Sequence, residues 1–288
     1  MTRPARAAGI DEVLSSGYQP AGDGALDMAA SEARLAAWCK SSANGDWALF
    51  SRRLARDGLE LDTVRATFAE SGSFSAEASP AWLQDCEWVS AALTRDPGTG
   101  LGPPLRRHPF ADLYLPLLEA AELRLCRTVG GALDRLSATA RADLRDLLYQ
   151  RLGRLLAPPL YDRFSAAGRR YAAFVVDMRS GGLGTLFAEK PVLLRLVADL
   201  TRQWLDTVAE FVVRLHDDAE QLRGLTEVEP ATRVAHVEGG LSDPHDGGRT
   251  VIAVEFDSVM TFLPKQRSRL KGPVGPSILI NVPLQIYS

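Results

Sequence analysis

The chain has 288 residues and a mass of 31.3 kDa, with 33 Lys and Arg against 36 Asp and Glu, a formal charge of −3, and 46% hydrophobic residues. That length holds a buried core in one large or two modest domains, and the composition excludes disorder as the main state. A weakly acidic balance gives no basic field for counterion release from a nucleic-acid backbone, so nucleic acid is not expected as a partner. Met1 to Arg6 runs into Asp11 and Glu12 without the apolar core of a signal peptide, and no stretch approaches about 18 uninterrupted apolar residues. A cytoplasmic protein without a membrane span is expected. Cys39, Cys86 and Cys126 are odd in number, far apart and each inside a helical pattern, which predicts buried inert thiols rather than disulfides or a Cys-based zinc site.

Residues 1–29 carry Gly, Pro and Asp without a sustained period and read as a flexible arm. Ser31 is placed as an N-cap before Arg34, Leu35 and Trp38, and helical patterns follow over 46–57 and 61–70. Pro80 sits where a helix can begin, with Trp82, Leu83, Cys86, Val89 and Leu93 on one face. Gly98 to Pro104 reads as a linker. From Phe110 to Val129 the apolar residues are too dense for a single stripe, so that helix is expected to pack on two sides. Ser137 is read as the cap of the next helix, which Pro158 and Pro159 should stop; a further helix from Leu160 to Met178 should close at Gly181 and Gly182. Pro191 opens the longest pattern, with Leu193, Leu196, Val197, Leu200, Trp204, Val208, Phe211, Val212 and Leu215 recurring up to a helix spanning roughly 50 Å.

Near residue 230 the period changes. Thr232 to Val237 and Arg249 to Phe256 read as strands, and Val259 to Leu263 as another. The order is α+β: a helical part over 30–225, then a β-hairpin region over 226–268.

Between the two strands lies Gly239-Gly240-Leu241-Ser242-Asp243-Pro244-His245-Asp246-Gly247-Gly248-Arg249-Thr250. Glycines let backbone N–H groups approach an oxyanion, while Asp243, His245 and Asp246 offer proton-transfer or metal-binding groups. A tight solvated turn is the plainer reading of the same residues. Lys265 lies one strand later, either as a point charge for nucleotide phosphates or as an exposed strand end. Ser242, Asp243 and His245 are too crowded for a nucleophilic triad. His236, Asp243, His245 and Asp246 lack a diagnostic ligand spacing, and no metal site is assigned. Neither a Walker pattern nor a GxGxxG fingerprint is present.

The run Leu241 to Val251, followed by Lys265-Gln266-Arg267-Ser268, resembles the LanM family of class II lanthipeptide (lantibiotic) synthetases. So do His108-Pro109-Phe110, Tyr114-Leu115-Pro116-Leu117-Leu118, Gly181-Gly182-Leu183, Pro191 to Leu196 and Arg214 to Asp218, so that the likeness covers roughly 30–268. The resemblance implies a dehydratase domain with a lipid-kinase-like core. Such enzymes bind a leader-bearing precursor peptide, phosphorylate its Ser and Thr hydroxyls with ATP and Mg2+, and eliminate phosphate to give dehydroamino acids. It carries over Asp243, His245 and Lys265 as catalytic residues, and Gly247, Gly248, Lys265 and Arg267 as the nucleotide-binding set. Asp246 stands where the family has Asn, and Pro264-Lys265-Gln266-Arg267 where it has Tyr-Lys-Pro-Arg. The alternative reading is a non-catalytic helical module that holds a peptide in an apolar groove.

The composition shifts in the tail. No acidic residue follows Asp257, no alanine follows Ala253, and three of the five isoleucines (Ile278, Ile280, Ile286) lie in the last eleven residues. Residues 269–288 therefore read as the divergent tail of a truncated or frame-shifted dehydratase, expected to be inactive alone and sticky unless it pairs as a strand.

Overall fold

Helix caps and apolar stripes account for most of the architecture. The protein, seen in a computed structural model, is described over residues 8–13, 18–20, 27–69, 72–74, 79–95, 109–218, 233–240, 251–256 and 277–281. It is predominantly helical with small antiparallel sheets. Among the described residues no helix is long and apolar enough to cross a membrane. The chain divides into two compact units, Met1–Glu87 with Gly184–Arg195, and Trp88–Leu183 with Leu196–Ser288.

In the first unit, α1 (Ile10–Val13) and β1 (Tyr18–Pro20) precede α2 (Met28–Ala43), α3 (Trp47–Arg56), α4 (Leu61–Ala69) and β2 (Gly72–Phe74). β1 and β2 pair antiparallel, Tyr18 opposite Phe74. Leu35, Cys39 and Ala43 of α2 meet Phe50 and Leu54 of α3 and Val64 of α4, with Trp38 set edge-on to Phe50 at 5.2 Å. The cap of α2 is Asp27, whose Oδ1 accepts from the Ala30 N–H at 2.9 Å. Ser31, expected there, is instead fully buried inside the helix and donates to the Arg65 carbonyl at 2.6 Å. Both residues suit an N-cap by type, and tertiary contact decides between them.

The segment read as an arm contains α1, a single turn too short to stand alone. Glu12 holds it. Its carboxylate accepts from Arg195 at 2.5 and 2.9 Å, from the Trp82 indole at 2.8 Å and from the Gly9 N–H at 2.7 Å, while the Arg195 guanidinium lies 4.2 Å over the Trp82 ring. Arg195 belongs to α10 (Pro191–Asp217) and Trp82 to α5 (Ala81–Leu93).

The second unit is built around α6 (Ala111–Val129) and α7 (Ala138–Ala167), followed by α8 (Tyr171–Asp177) and the later turns of α10, while α9 (Leu183–Glu189) belongs to the first unit from Gly184 on. α6 buries a broad face up to Ala121, but Leu123 is 52% exposed, so its second half packs on one side only. Cys126 is exposed there, unlike Cys39 and Cys86, against the expectation of three buried thiols. Trp204 of α10 donates to the Leu144 carbonyl of α7 at 2.9 Å.

The two prolines do not stop α7. Pro158 and Pro159 remove the N–H groups that would bond the Arg154 and Leu155 carbonyls. The helix nevertheless continues to Ala167, making it the longest of the described helices at 30 residues, and ends at Gly168 in the left-handed region. Leu144, Leu148, Leu152, Leu156 and Leu160, every fourth residue, are all buried, so one apolar stripe runs through the prolines while Pro158 and Arg154 lie on the exposed face. Burial of that stripe outweighs the missing bonds. Nor do Gly181 and Gly182 close a helix. Met178–Gly182 is a π-turn leading directly into α9, with Gly181 at φ 136° and Gly182 so tightly placed that a Cβ would lie 2.8 Å from the Met178 sulfur. α10 ends at Asp217 after 27 residues, about 40 Å at the usual rise.

A third proline is compensated by a side chain. Pro116 lies inside α6 and leaves the Asp112 carbonyl without its helical donor; Arg179 from the π-turn supplies one, its Nη2 donating at 2.7 Å. The Asp112 carboxylate accepts from the Tyr171 hydroxyl at 2.9 Å. Burial, with Asp112 beside it, pushes the Tyr171 phenol above its ordinary range. Phe110 sits at φ 64°, an uncommon conformation for a bulky residue. Its ring is buried against Phe164, Tyr171 and Phe174 at 5.8 to 6.0 Å, and that packing holds the strained backbone.

The strands close the second unit: β3 (Val234–Glu238), β4 (Val251–Phe256) and β5 (Ser277–Asn281), in that order and antiparallel throughout. Ile252, Val254 and Phe256 alternate inward along β4. β5 falls within the tail read as divergent and pairs Val251 to Asn281 through Glu255 to Ser277. The readings of Gly98 to Pro104 and Val259 to Leu263 lie outside the described residues.

Two outcomes follow. Replacing Arg179 with Met should cost about 1–3 kcal/mol by orphaning the Asp112 carbonyl, and appreciably less in a Pro116→Ala background, where residue 116 regains an N–H; an equal cost in both backgrounds, measured by denaturant unfolding, would contradict this bond's role. Burial alone would raise the Glu12 carboxyl, but the bonds from Arg195, Gly9 and Trp82 prevail and hold it below its ordinary range. Its stabilisation is therefore present above the ordinary carboxyl pKa and lost as pH falls through the lowered value. Glu12→Gln should flatten that part of the acid-unfolding curve, and a variant that tracks the parent at every pH would refute it.

Candidate functional site

The described part of the site is the stem of the glycine-rich hairpin. β3 leads into it and β4 leads out, with Glu238 opposite Ala253, Val237 opposite Val254 and His236 opposite Glu255. A register irregularity between Val234 and His236 bends β3. Asp243, His245, Gly247 and Gly248 of the connection, with Asp246, and Lys265 and Arg267 beyond it, lie outside the described residues.

The stem is held by the start of α7. Leu136 forms a parallel bridge with Val234, and the Ser137 N–H donates to the Val234 carbonyl at 2.9 Å. The Ser137 hydroxyl serves two neighbours: it accepts from the Ala140 N–H at 3.0 Å, as expected of an N-cap, and donates to the Ala235 carbonyl at 2.8 Å. Two turns on, Asp143 Oδ2 accepts from the Val237 N–H at 3.1 Å and lies 3.3 Å from His236 Nδ1. Gly239 fits closely here, since a Cβ would lie 2.6 Å from Leu147 Cδ1. The outward edge of β3 is thus satisfied by a helix, and the point from which the loop emerges is fixed.

Ser137 was legible as a cap. Asp143 was not, because its partners lie more than ninety positions along the chain and an acidic residue on a helix has many roles. His236, considered as a metal ligand with Asp243, His245 and Asp246, is occupied by Asp143. Among the described residues no group of three His, Cys, Asp or Glu side chains could hold a metal ion. His216 lies exposed in the last turn of α10, in keeping with a surface role.

Residues 191–268 match the family model described as Domain of unknown function (DUF4135), a domain associated with lanthipeptide synthetases. The match takes in α10, β3, β4 and the whole glycine-rich connection, and reaches Lys265 and Arg267. No curated protein matches the chain.

Asp143→Ala should leave the Val237 N–H without an acceptor and destabilise the second unit by about 1–3 kcal/mol, with amide exchange at Val237 accelerated; Asp143→Asn, which keeps an acceptor oxygen, should recover most of the loss. Equal exchange at Val237 in all three proteins would contradict the assignment.

Proposed function

We propose that the chain is part of a LanM-type lanthipeptide dehydratase and that its glycine-rich hairpin forms one wall of an ATP site in a lipid-kinase-like lobe. The observation that carries this reading is the family match, which spans the Ser242-Asp243-Pro244-His245 run and the later Lys265 and Arg267 together. The paired stem supports it, because a loop held at both roots can present its N–H groups without large ordering cost.

In this reading the backbone of Gly247 and Gly248 approaches the nucleotide phosphates, and Lys265, with Arg267, neutralises them as charge develops. Asp243 and His245 act at the same phosphates, orienting the attacking hydroxyl. The reaction transfers the γ-phosphoryl group to a peptide Ser or Thr oxygen with release of ADP and the hydroxyl proton. Loss of the α-proton and of phosphate then leaves the alkene. Mg2+ would accompany ATP; no carboxylate cluster among the described residues is assigned to it. The partner is a precursor peptide with its leader, and the setting is the cytoplasm.

Titration of the protein with a fluorescent ATP analogue tests the reading. Lys265→Ala and His245→Ala should each weaken binding by about tenfold or more with the helical circular dichroism unchanged. Nucleotide affinity that is undetectable in the parent, or indifferent to both substitutions, would overturn it.

A further inference from the structure

An apolar groove of about 500 Å³ lies on the second unit beside the prolines of α7, walled by Phe110, Pro158, Tyr161, Phe164 and Tyr171. Its floor is rigid. Phe110, Phe164 and Phe174 meet edge to face at 5.2 to 6.0 Å, and the Tyr171 hydroxyl is tied to Asp112. Its rim is exposed: Tyr161 is 61% accessible and Tyr171 38%, a concentration of apolar surface that a solvated helix pair does not need. Two exposed arginines adjoin lining residues. Arg154 lies one turn before Pro158 on the same helix face, and Arg170 directly precedes Tyr171; neither has an ion-pair partner among the described residues. Arg169, next to it, is neutralised by Asp177 at 3.5 Å.

We propose that this groove docks an acidic peptide segment, taking one aromatic or large aliphatic side chain between Tyr161 and Phe164 while carboxylates on either side of it meet Arg154 and Arg170. A volume of about 500 Å³ is that of an open cleft with room for a side chain and its neighbours, and the aromatic walls offer a large contact area at small entropic cost. Two exposed guanidinium groups beside lining residues select against basic segments. The groove is separate from residues 191–268, so this inference stands whether or not the hairpin binds nucleotide.

The test is fluorescence anisotropy of the full chain with a short labelled peptide carrying one Phe between Glu residues. Saturable binding is expected, weakened about tenfold by Phe→Ala in the peptide or by Tyr161→Ala in the protein, an exposed site whose change leaves the fold intact. Arg154→Glu with Arg170→Glu should abolish the preference over a Lys-flanked peptide. No saturable binding, equal affinity for the Lys-flanked peptide, indifference to Tyr161→Ala, or Tyr161-dependent binding to phosphatidylglycerol vesicles in place of the peptide would each overturn the proposal.

Discussion

The seating of an edge strand on a helix terminus is the constraint on which the second unit turns. Among the described strands β3 has one neighbour, so half of its backbone groups face away from β4. The first two turns of α7 take up three of them: Val234 and Ala235 through Ser137, and Val237 through Asp143. Because side chains alternate along a strand, this also decides which face of β3 is buried: Val234 and Val237 go inward on either side of the register irregularity. β4 follows by pairing, and the glycine-rich connection leaves from one place. Helix capping, strand register and loop position are consequences of the same few hydrogen bonds.

A second theme is the handling of proline. Three prolines interrupt the helical hydrogen bonding of α6 and α7, and each is accommodated differently from a simple stop. At Pro116 the freed carbonyl is part-buried, and a distant arginine bonds it. At Pro158 and Pro159 the break faces outward and the opposite face keeps its leucine stripe. The cost of a missing N–H depends on where the orphaned carbonyl points, which explains why one site recruits a part-buried guanidinium and the other is left facing outward.

Much of the helical framework was legible in the sequence. The helix expected over 46–57 is present as α3, Pro80 marks a true helix start, Ser137 is a true cap, and the strand stems fall within two residues of their expected places. The errors share a cause. Pro158, Gly181 and Ser31 were read by local preference, and in each case packing prevailed: a leucine stripe, a π-turn, and a buried bond to Arg65. Glu12 and Asp143 were invisible because each acts through partners far along the chain. For the site itself, the sequence pattern specifies residue types and order, whereas the structure contributes the anchored stem.

Hydrogen exchange across the hairpin, with and without ATP, bears most directly on the claim that an anchored stem presents a nucleotide-binding loop. The account predicts strong protection of residues 234–238 and 251–256 in both states and new protection over 239–250 when nucleotide is added. Rapid exchange in the stem while α7 stays protected, or an ATP response that spares 239–250, would contradict it.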